Sequence, residues 1–541
     1  MFELLCLSLH FISLCFIFIV STGQLILAVH YLRRKKTSSL HHALLIPDVT
    51  PDAPDTRPFV TVQLPVYNER YVVERLLNAV ARFHYPKHRF EIQVLDDSTD
   101  DTTSRIAATI EALQPLGLSI HHLHRARREG FKAGALQHGL RTAKGEFIAI
   151  FDADFVPSPD FLEQTLPCFE RSGINASGIG ASIGMVQVRW DHLNRNESLL
   201  TRLQAFGLDA HFSTEQSGRN AAGAYINFNG TAGVWRKACI DDAGGWQSDT
   251  LTEDLDLSYR AQLRGWQFTF LEDVSAPALL PAEMSAYRSQ QSRWVQGAIE
   301  TARKHLRRVW SQPLPLPLKL HATQHLCANV IYFFILLSSL LGLPLMIIKA
   351  SGAYPVYFNL TAGFALSFLG SMLFYAAVFF HRDVSRRWQT HHPAAVHPAT
   401  DHTTISAAAF GHESGLRWLT NFAMLYPAFI AFSSGMALHN SVAVARGLAG
   451  KKMPFVRTPK VSKGERHGNL YLAQRLSRVV IVEALLAAYF LGGAVVSIVL
   501  GEVSLLPFQL MLFLGFAMVS GISVQQHFET ARGAKGLNAV S

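Results

Sequence analysis

The sequence contains few cysteines and few charged residues for its length. Its 541 residues include 5 cysteines, which are scattered without a Cys-x-x-Cys pair or another zinc-like spacing. This spacing argues against a disulfide scaffold and a structural zinc site, and it predicts buried free thiols. Charged residues make up 16% of the chain and apolar residues 49%. Such a composition is too apolar for an ordinary soluble enzyme of this size.

Two common nucleotide-binding motifs are also missing. No Walker sequence G-x-x-x-x-G-K-[S/T] occurs, and the glycine-rich stretch 178–184 lacks the G-x-G-x-x-G spacing. Neither a P-loop ATPase nor a dinucleotide enzyme is therefore supported. The net charge of +9 does not point to a nucleic-acid partner, because the basic residues cluster beside apolar runs, where they fit contacts with anionic membrane lipids.

Long apolar runs are what the sequence has in excess. Six of them approach the roughly 20 residues that cross a bilayer core. They are Leu4 to Leu32, Leu326 to Ile348, Val356 to Phe380, Leu419 to Leu438, Val479 to Leu500 and Leu505 to Val524. The basic loops do not all fall on one side of such a set, and Pro427 favours a re-entrant or interfacial segment, so we expect five to seven crossings.

The first run is expected to be a retained anchor. It is longer than the apolar part of a signal peptide and begins with Glu3 in place of a basic cluster, which argues against cleavage. Residues 33–36 are Arg-Arg-Lys-Lys, so the positive-inside rule predicts an external amino terminus and a cytosolic domain after this helix.

Residues from about 50 to 283 alternate short β-rich runs with helical patterns, which is typical of a parallel sheet with crossover helices. Polar residues follow three predicted strands: Tyr67 and Glu69 follow the first, Asp96 and Asp97 the second, and Asp152-Ala153-Asp154 the strand 147–151. Because ligands of such sheets bind at the carboxyl ends of the strands, these loops are predicted to converge on one crevice.

The Asp152-Ala153-Asp154 sequence is a candidate metal site. Two carboxylates at the end of a buried strand can face one divalent cation, while phosphate oxygens complete the shell, and Mg²⁺ or Mn²⁺ fits such hard ligands. An isolated motif of this kind is more often a solvated turn. The apolar strand before it favours the metal, since burying two acids without a cation is costly.

Two further motifs have structural alternatives. Thr252-Glu253-Asp254 opens a helical pattern in which Thr252 is a candidate N-cap and the acids favour the helix dipole. The sequence Gln290-Gln291-Ser292-Arg293-Trp294 is compatible with helix packing at an interfacial belt.

Taken together and in this order, the motifs resemble the D, D, D, Q-x-x-R-W pattern of membrane-embedded family-two glycosyltransferases such as cellulose, chitin and hyaluronan synthases. Residues 93–100, 130–136, 151–155 and 229–233 are most similar to plant cellulose-synthase-like mannan and glucan synthases. The resemblance implies a GT-A-like, Rossmann-type α/β domain in the cytosol, embedded in an α-helical transmembrane protein.

The same resemblance implies a domain order. We expect a transmembrane anchor at 1–36, the GT-A glycosyltransferase domain at 50–283, interfacial helices with Q-x-x-R-W at 284–322, transmembrane segments at 323–438, an interfacial helix and gating-like loop at 439–475, and a transmembrane hairpin with a short tail at 476–541.

Residue roles follow from the resemblance. Asp254 would be the general base, and Asp152 and Asp154 would hold the metal. The donor would be bound by Tyr67, Glu69, one or both of Asp96 and Asp97, Lys132, Asp152 and Lys460. The acceptor would be bound by Asn229, Gly230, Thr231, Gln290, Arg293 and Trp294. Phe455, Thr458 and Lys460 would form the gating loop, where Arg457 replaces the valine of the family pattern.

The implied activity is inverting, processive synthesis of a β-linked glucan or mannan from a cytosolic nucleotide sugar, UDP-glucose or GDP-mannose, onto a growing glycan that crosses the membrane. The resemblance also allows an accessory export or regulatory subunit. One alternative is a single transfer to a lipid acceptor, and another is a non-catalytic, nucleotide-sensing membrane protein.

Overall fold

The computed structural model describes residues 1–41, 57–170, 172–174, 180–379, 415–451 and 477–538. Eight strands form one sheet in this part of the chain. They are β1 Val60–Val66, β2 Phe90–Asp96, β3 Ser119–His124, β4 Phe147–Ile150, β5 Ser172–Ile174, β6 Gly180–His192, β7 Gly233–Arg236 and β8 Gln267–Ala278. Their order is β3-β2-β1-β4-β7-β6-β5, and β8 also pairs with β6.

The first half of the sheet is parallel, as the alternating pattern predicts. β1 pairs in parallel with both β2 and β4, and Val66 at the end of β1 lies opposite Asp96 at the end of β2. The loops that leave β1, β2 and β4 therefore start at the same edge of the sheet. β7 runs antiparallel to β4, and β6 antiparallel to β7, which extends the sheet beyond the parallel part.

Helices cover both faces of the sheet because the strands carry apolar side chains on both faces. These helices are α2 Val73–Val80, α3 Thr102–Leu113, α4 Phe131–Leu140, α5 Phe161–Thr165, α6 Leu199–Ala210, α7 Ser217–Ala221, α8 Lys237–Asp242 and α9 Glu253–Gln262. A π-helical segment, His211–Gln216, joins α6 to α7. One core contains Val62 and Val94, and a second contains Ile148 and Trp235.

A second, all-helical part follows the sheet. It comprises α10 Met284–Ser311, α11 Leu316–Cys327, α12 Ile331–Ala350, α13 Pro355–Ala362, α14 Leu366–Phe379, α15 Gly415–Gly435, α16 Ala437–Leu448, α17 Arg478–Val499 and α18 Leu506–Asn538, and α1 Phe2–His41 packs against it.

Five helical stretches among the described residues are long and apolar enough to cross a membrane, namely Phe2–Arg34, Leu316–Ala350, Pro355–Val378, Arg478–Val499 and Val503–Glu529. The pair Leu419–Gly435 and Ala437–Leu448 passes the same test only together and bends by 48° at its break. The count is six if this pair is one span, so the stretch with Pro427 differs from a simple straight crossing.

Helix α10 ties the sheet domain to the last two apolar helices. The Arg288 guanidinium donates to the Glu483 carboxylate at 2.6 Å and to the Ser523 hydroxyl at 3.1 Å, and both Arg288 and Glu483 are buried. A buried charge that loses its partner is costly. This contact therefore holds one end of α10 against α17 and α18.

Glycines allow the backbones of α15 and α18 to touch. A Cβ atom at Gly515 would lie 2.0 Å from the carbonyl oxygen of Ala431, and one at Gly435 would lie 2.3 Å from the carbonyl oxygen of Gly515. Small residues at such crossings permit the close packing on which apolar helix pairs depend.

We therefore expect Gly515→Ala to lower the free energy of unfolding by about 1–3 kcal/mol, the range for overpacking a tight interface. Gly521→Ala is the matched control on α18, because a Cβ there meets nothing within 4 Å. Thermal unfolding of the detergent-solubilised protein measures both, and equal melting temperatures for the two variants would contradict the packing argument.

Candidate active site

A cleft of about 200 Å³ opens where the loops after β1, β2 and β4 meet. It brings together, from seven separate segments, most of the residues that the sequence singles out. Those that line it are Tyr67, Glu69, Asp97, Lys132, Asp152, Asp154, Asn229, Gly230, Asp254, Gln290, Arg293 and Trp294. The gating-loop residues Phe455, Thr458 and Lys460 lie outside the described residues.

One ammonium group links two of these loops. Lys132, in the first turn of α4, donates to the Asp152 carboxylate at 2.6 Å and to the Gly230 carbonyl at 2.8 Å. Burial alone would lower the pKa of Lys132, but the charges of Asp152 and Glu253 raise it above its usual value. Lys132 is therefore a fixed positive charge beside the strand-end acids.

Asp254 lies in the first turn of α9, beside Glu253. Burial and the charge of Glu253 raise the pKa of Asp254 to about 7, although Lys132 acts in the opposite direction. A carboxylate with a pKa near neutrality can accept a proton efficiently. The geometry thus places a base in a cleft that is also lined by the ammonium group of Lys132.

Thr252 precedes α9 as predicted, but its side chain makes no capping hydrogen bond. Its hydroxyl instead lies 3.2 Å from that of Thr301 on α10. This contact joins α9 to α10, and the position of Glu253 and Asp254 depends on that packing more than on a local cap.

Asp96 does not line the cleft, which differs from its expected role in donor binding. It is fully buried, and its carboxylate accepts from Ser98 N at 2.8 Å, Thr103 Oγ1 at 2.8 Å and His122 Nε2 at 3.0 Å. Burial opposes ionisation, but the hydrogen bonds from His122 and Ser98 hold the pKa of Asp96 well below its usual range. Asp96 therefore shapes the loop that presents Asp97.

Two arginines that the sequence analysis missed surround Asp97. Arg125 donates to both Asp97 oxygens, at 2.7 and 2.6 Å. The Arg128 guanidinium carbon lies 3.5 Å from the centre of the Tyr67 ring, which is close enough for a cation–π contact. The basic run 125–128 directly after β3 is the signal that could have found them.

Thr231 is also buried away from the cleft, unlike its expected place at the acceptor. Its hydroxyl accepts from Asp152 N at 2.8 Å, so it holds the Asp152 loop. Asn229 does line the cleft, and its amide oxygen accepts from Gln216 at 2.7 Å.

Gln290, Arg293 and Trp294 reach the cleft from one face of α10, as a spacing of three and four residues on a helix requires. The Trp294 ring lies 6.5 Å, centre to centre, from Trp190, a residue at the end of β6 that sequence analysis missed. These indoles form an aromatic wall at this end of the cleft.

The side chains of the cleft supply only part of the ligands that a divalent cation needs. No cluster of three or more His, Cys, Asp or Glu side chains suited to a metal occurs in the described part of the chain. Asp152 and Asp154 supply hard carboxylate oxygens in the cleft, so the remaining ligands would have to come from phosphate or water. This pattern suits Mg²⁺ or Mn²⁺ bound together with an anionic ligand.

A second cavity, of about 280 Å³, adjoins the cleft among the apolar helices. Leu208, Gln290 and Trp294 line both spaces. Gln204 Oε1 and Arg219 Nη1, two buried polar atoms of residues lining this cavity, have no hydrogen-bond partner among the described residues. Buried polar atoms of this kind suit an occupant with hydroxyl groups.

Comparisons with known proteins agree with this geometry. Residues 57–297 match the family described as "Glycosyltransferase like family 2". The chain is 41% identical over 266 residues to glucomannan 4-beta-mannosyltransferase 1 of Oryza sativa subsp. japonica, covering 48% of this chain and 50% of the relative. It is 42% identical over 251 residues to glucomannan 4-beta-mannosyltransferase 2 of Arabidopsis thaliana, covering 46% of each. The chain thus spans about half the length of the curated relatives it matches.

Among solved structures, the mannosyltransferase PcManGT from Pyrobaculum calidifontis, in complex with GDP-Man and Mn²⁺, is 23% identical with a TM-score of 0.47, covering 69% of this chain and 98% of the other. Residues 57–297, with their parallel sheet and acidic strand ends, are thus similar to glycosyltransferase-like domains of family 2, and apolar helices long enough to span a membrane accompany this part of the chain.

Proposed function

We propose that this protein transfers a hexose, with inversion, from a nucleotide sugar to a growing β-linked glycan of the mannan or glucan type. The observation that carries the proposal is one cleft that holds Asp254, Lys132 and the Asp152–Asp154 pair. The names of the matched relatives favour mannose, hence GDP-mannose as the donor, with UDP-glucose as the other candidate.

Asp254 is the proposed general base. It takes the proton of the acceptor hydroxyl while that oxygen attacks the anomeric carbon of the donor sugar, and the bond to the nucleoside diphosphate breaks on the opposite face. Its pKa of about 7 suits this step, since the base must be ionised before the reaction and protonated after it.

The leaving diphosphate would be held beside Asp152 and Asp154. Lys132 provides a fixed positive charge there, and Asp152 with Asp154 would hold a divalent cation. The cation would neutralise part of the charge on the departing phosphates.

Tyr67, Glu69 and Asp97 line the cleft beyond this point, where the nucleoside would lie. Arg128 covers one face of the Tyr67 ring, so a base that stacks on that face must displace the guanidinium. Closure of the loop with Phe455, Thr458 and Lys460 over the nucleotide belongs to the same proposal.

The acceptor would enter at the aromatic end. An indole face such as that of Trp294 can stack on the apolar face of a pyranose, and the adjoining cavity offers polar atoms to the sugars behind it. Product would thereby pass from a cytosolic domain towards the apolar helices, which supports a processive enzyme that also moves its glycan across the membrane.

The donor and the product are tested together. Purified, detergent-solubilised protein is given a panel of radiolabelled nucleotide sugars with Mg²⁺ or Mn²⁺, and both label incorporation and product size are recorded. We expect a long, alkali-insoluble product from one donor and loss of synthesis with EDTA. Short, organic-soluble product would instead favour a lipid acceptor. Absence of turnover with every donor would refute the proposed enzymatic activity.

Asp254→Asn is expected to lower the transfer rate by at least about 100-fold, because a general base contributes about 10²–10⁴-fold. Nucleotide binding, followed by calorimetry, should be retained. The wild-type rate should rise with pH through about 7 as Asp254 loses its proton. A variant with near-normal turnover would contradict the assignment.

Gly230→Ala tests the closeness of the loop to the base. A Cβ there would lie 3.0 Å from Asp254 Oδ2 and 3.4 Å from Lys132 Nζ, at a φ of +82°. Gly117→Ala, at φ +67° with nothing within 4 Å, is the control for backbone strain of about 1–2 kcal/mol. We expect similar losses of stability but loss of transfer only in Gly230→Ala, and equal activity in both would refute the argument.

A further inference from the structure

A chain of hydrogen bonds lies between the cleft and the second cavity, and none of the proposed steps uses it. It starts at Asn229, which lines the cleft, and runs through His211 to Glu215 and Arg219, which line the second cavity. The distances are 2.9 Å from Asn229 Nδ2 to His211 Nε2, 2.8 Å from His211 Nδ1 to Glu215 Oε2, and 2.5 Å from Arg219 Nη2 to Glu215 Oε1.

Glu215, near the end of this chain of hydrogen bonds, determines which atom donates in each bond. Burial opposes the charge on Glu215, but Arg219 and His211 hold the pKa of this carboxyl well below its usual range, so it only accepts hydrogen bonds. His211 Nδ1 therefore donates to Glu215, and because the Asn229 oxygen faces Gln216, the Asn229 nitrogen faces His211 Nε2, which accepts. Asn229 therefore donates through its amide nitrogen.

The other half of the Asn229 amide agrees with this assignment. Its oxygen accepts from Gln216 Nε2 at 2.7 Å, and its backbone N–H donates to Gln187 Oε1 at 3.0 Å. Turning the Asn229 amide by half a turn would place its nitrogen against the nitrogen of Gln216, which is a donor, and its oxygen against His211 Nε2, which is an acceptor. One N–H of the Asn229 nitrogen donates to His211, and the second N–H can donate to a ligand in the cleft.

The backbone of the segment supports the same function. His211 and Glu215 belong to the π-helix His211–Gln216, which ends α6 and begins α7. Such π-helical turns are rare and occur often at functional sites, because they re-aim side chains. Here the π-helical turn places His211 against the cleft residue Asn229, and His211 and Glu215 in the lining of the second cavity.

We propose that His211 is a positioning residue for the acceptor: by accepting from Asn229 it fixes the amide so that one N–H meets a hydroxyl of the acceptor's terminal hexose. This inference rests on the proposed function and deepens it. His211 does not touch the sugar. It sets the orientation of the residue that does.

Two substitutions at His211 separate the two ring nitrogens. His211→Gln places an amide oxygen near the position of Nε2 and can still accept from Asn229. His211→Asn reaches only as far as Nδ1 and loses that acceptor. His138→Asn is the matched control, because His138 is exposed on α4 and lines neither cavity.

The measurement is initial-rate transfer from the active nucleotide sugar to a soluble β-1,4-linked hexose oligosaccharide. We expect His211→Asn to raise the acceptor KM about fivefold to tenfold, the effect of one hydrogen bond, with the donor KM unchanged. His211→Gln should return the acceptor KM to within about twofold of wild type. An unchanged acceptor KM in His211→Asn, or an equal rise in the donor KM, would overturn the inference.

A double-mutant cycle guards against a merely structural effect. Asn229→Asp keeps the side-chain volume but removes the N–H, so it should raise the acceptor KM as His211→Asn does. Adding His211→Asn to it should cause little further rise, since both act through one group. Fully additive effects would overturn the inference. No transfer by wild type from any donor would overturn the proposed function and this inference with it.

Discussion

The ion pair between Lys132 and Asp152 is the contact on which the cleft depends. Glu253 and Asp254 place two carboxyl groups near Asp152 in a largely buried space, and burial raises the pKa of both Glu253 and Asp254. Lys132 balances part of that charge and also binds the Gly230 carbonyl. It therefore joins the end of β4, the loop before β7 and the start of α4.

This balance leaves Asp254 with a pKa of about 7, because burial and the charge of Glu253 raise it while the charge of Lys132 and backbone hydrogen bonds lower it. The supporting residues are buried and polar: Thr231 holds the Asp152 backbone, and Asp96 holds the turn that presents Asp97. Neither Thr231 nor Asp96 lines the cleft. They are needed because irregular loops at strand ends have buried polar groups that must find partners.

Helix α10 connects this chemistry to the apolar helices. Its residues Gln290, Arg293 and Trp294 line the cleft, while Arg288, less than one turn before Gln290, is bound to Glu483 on α17. The second cavity begins on the same helix face. A helix shared by the two spaces fixes the distance between the proposed site of bond formation and the second cavity.

The sequence by itself determined the class of the domain, the presence of a parallel sheet and the identity of the acidic loops, because strand periodicity and strand-end motifs are local properties. It also located the apolar helices. It could not tell Asp97 from Asp96 or Asn229 from Thr231, since adjacent or nearly adjacent residues differ only in which side of a loop they face. Tertiary packing decided those questions, brought Arg128 onto Tyr67, and joined His211 to Asn229 across 18 residues, because hydrogen bonds between separate elements exist only once those elements are packed.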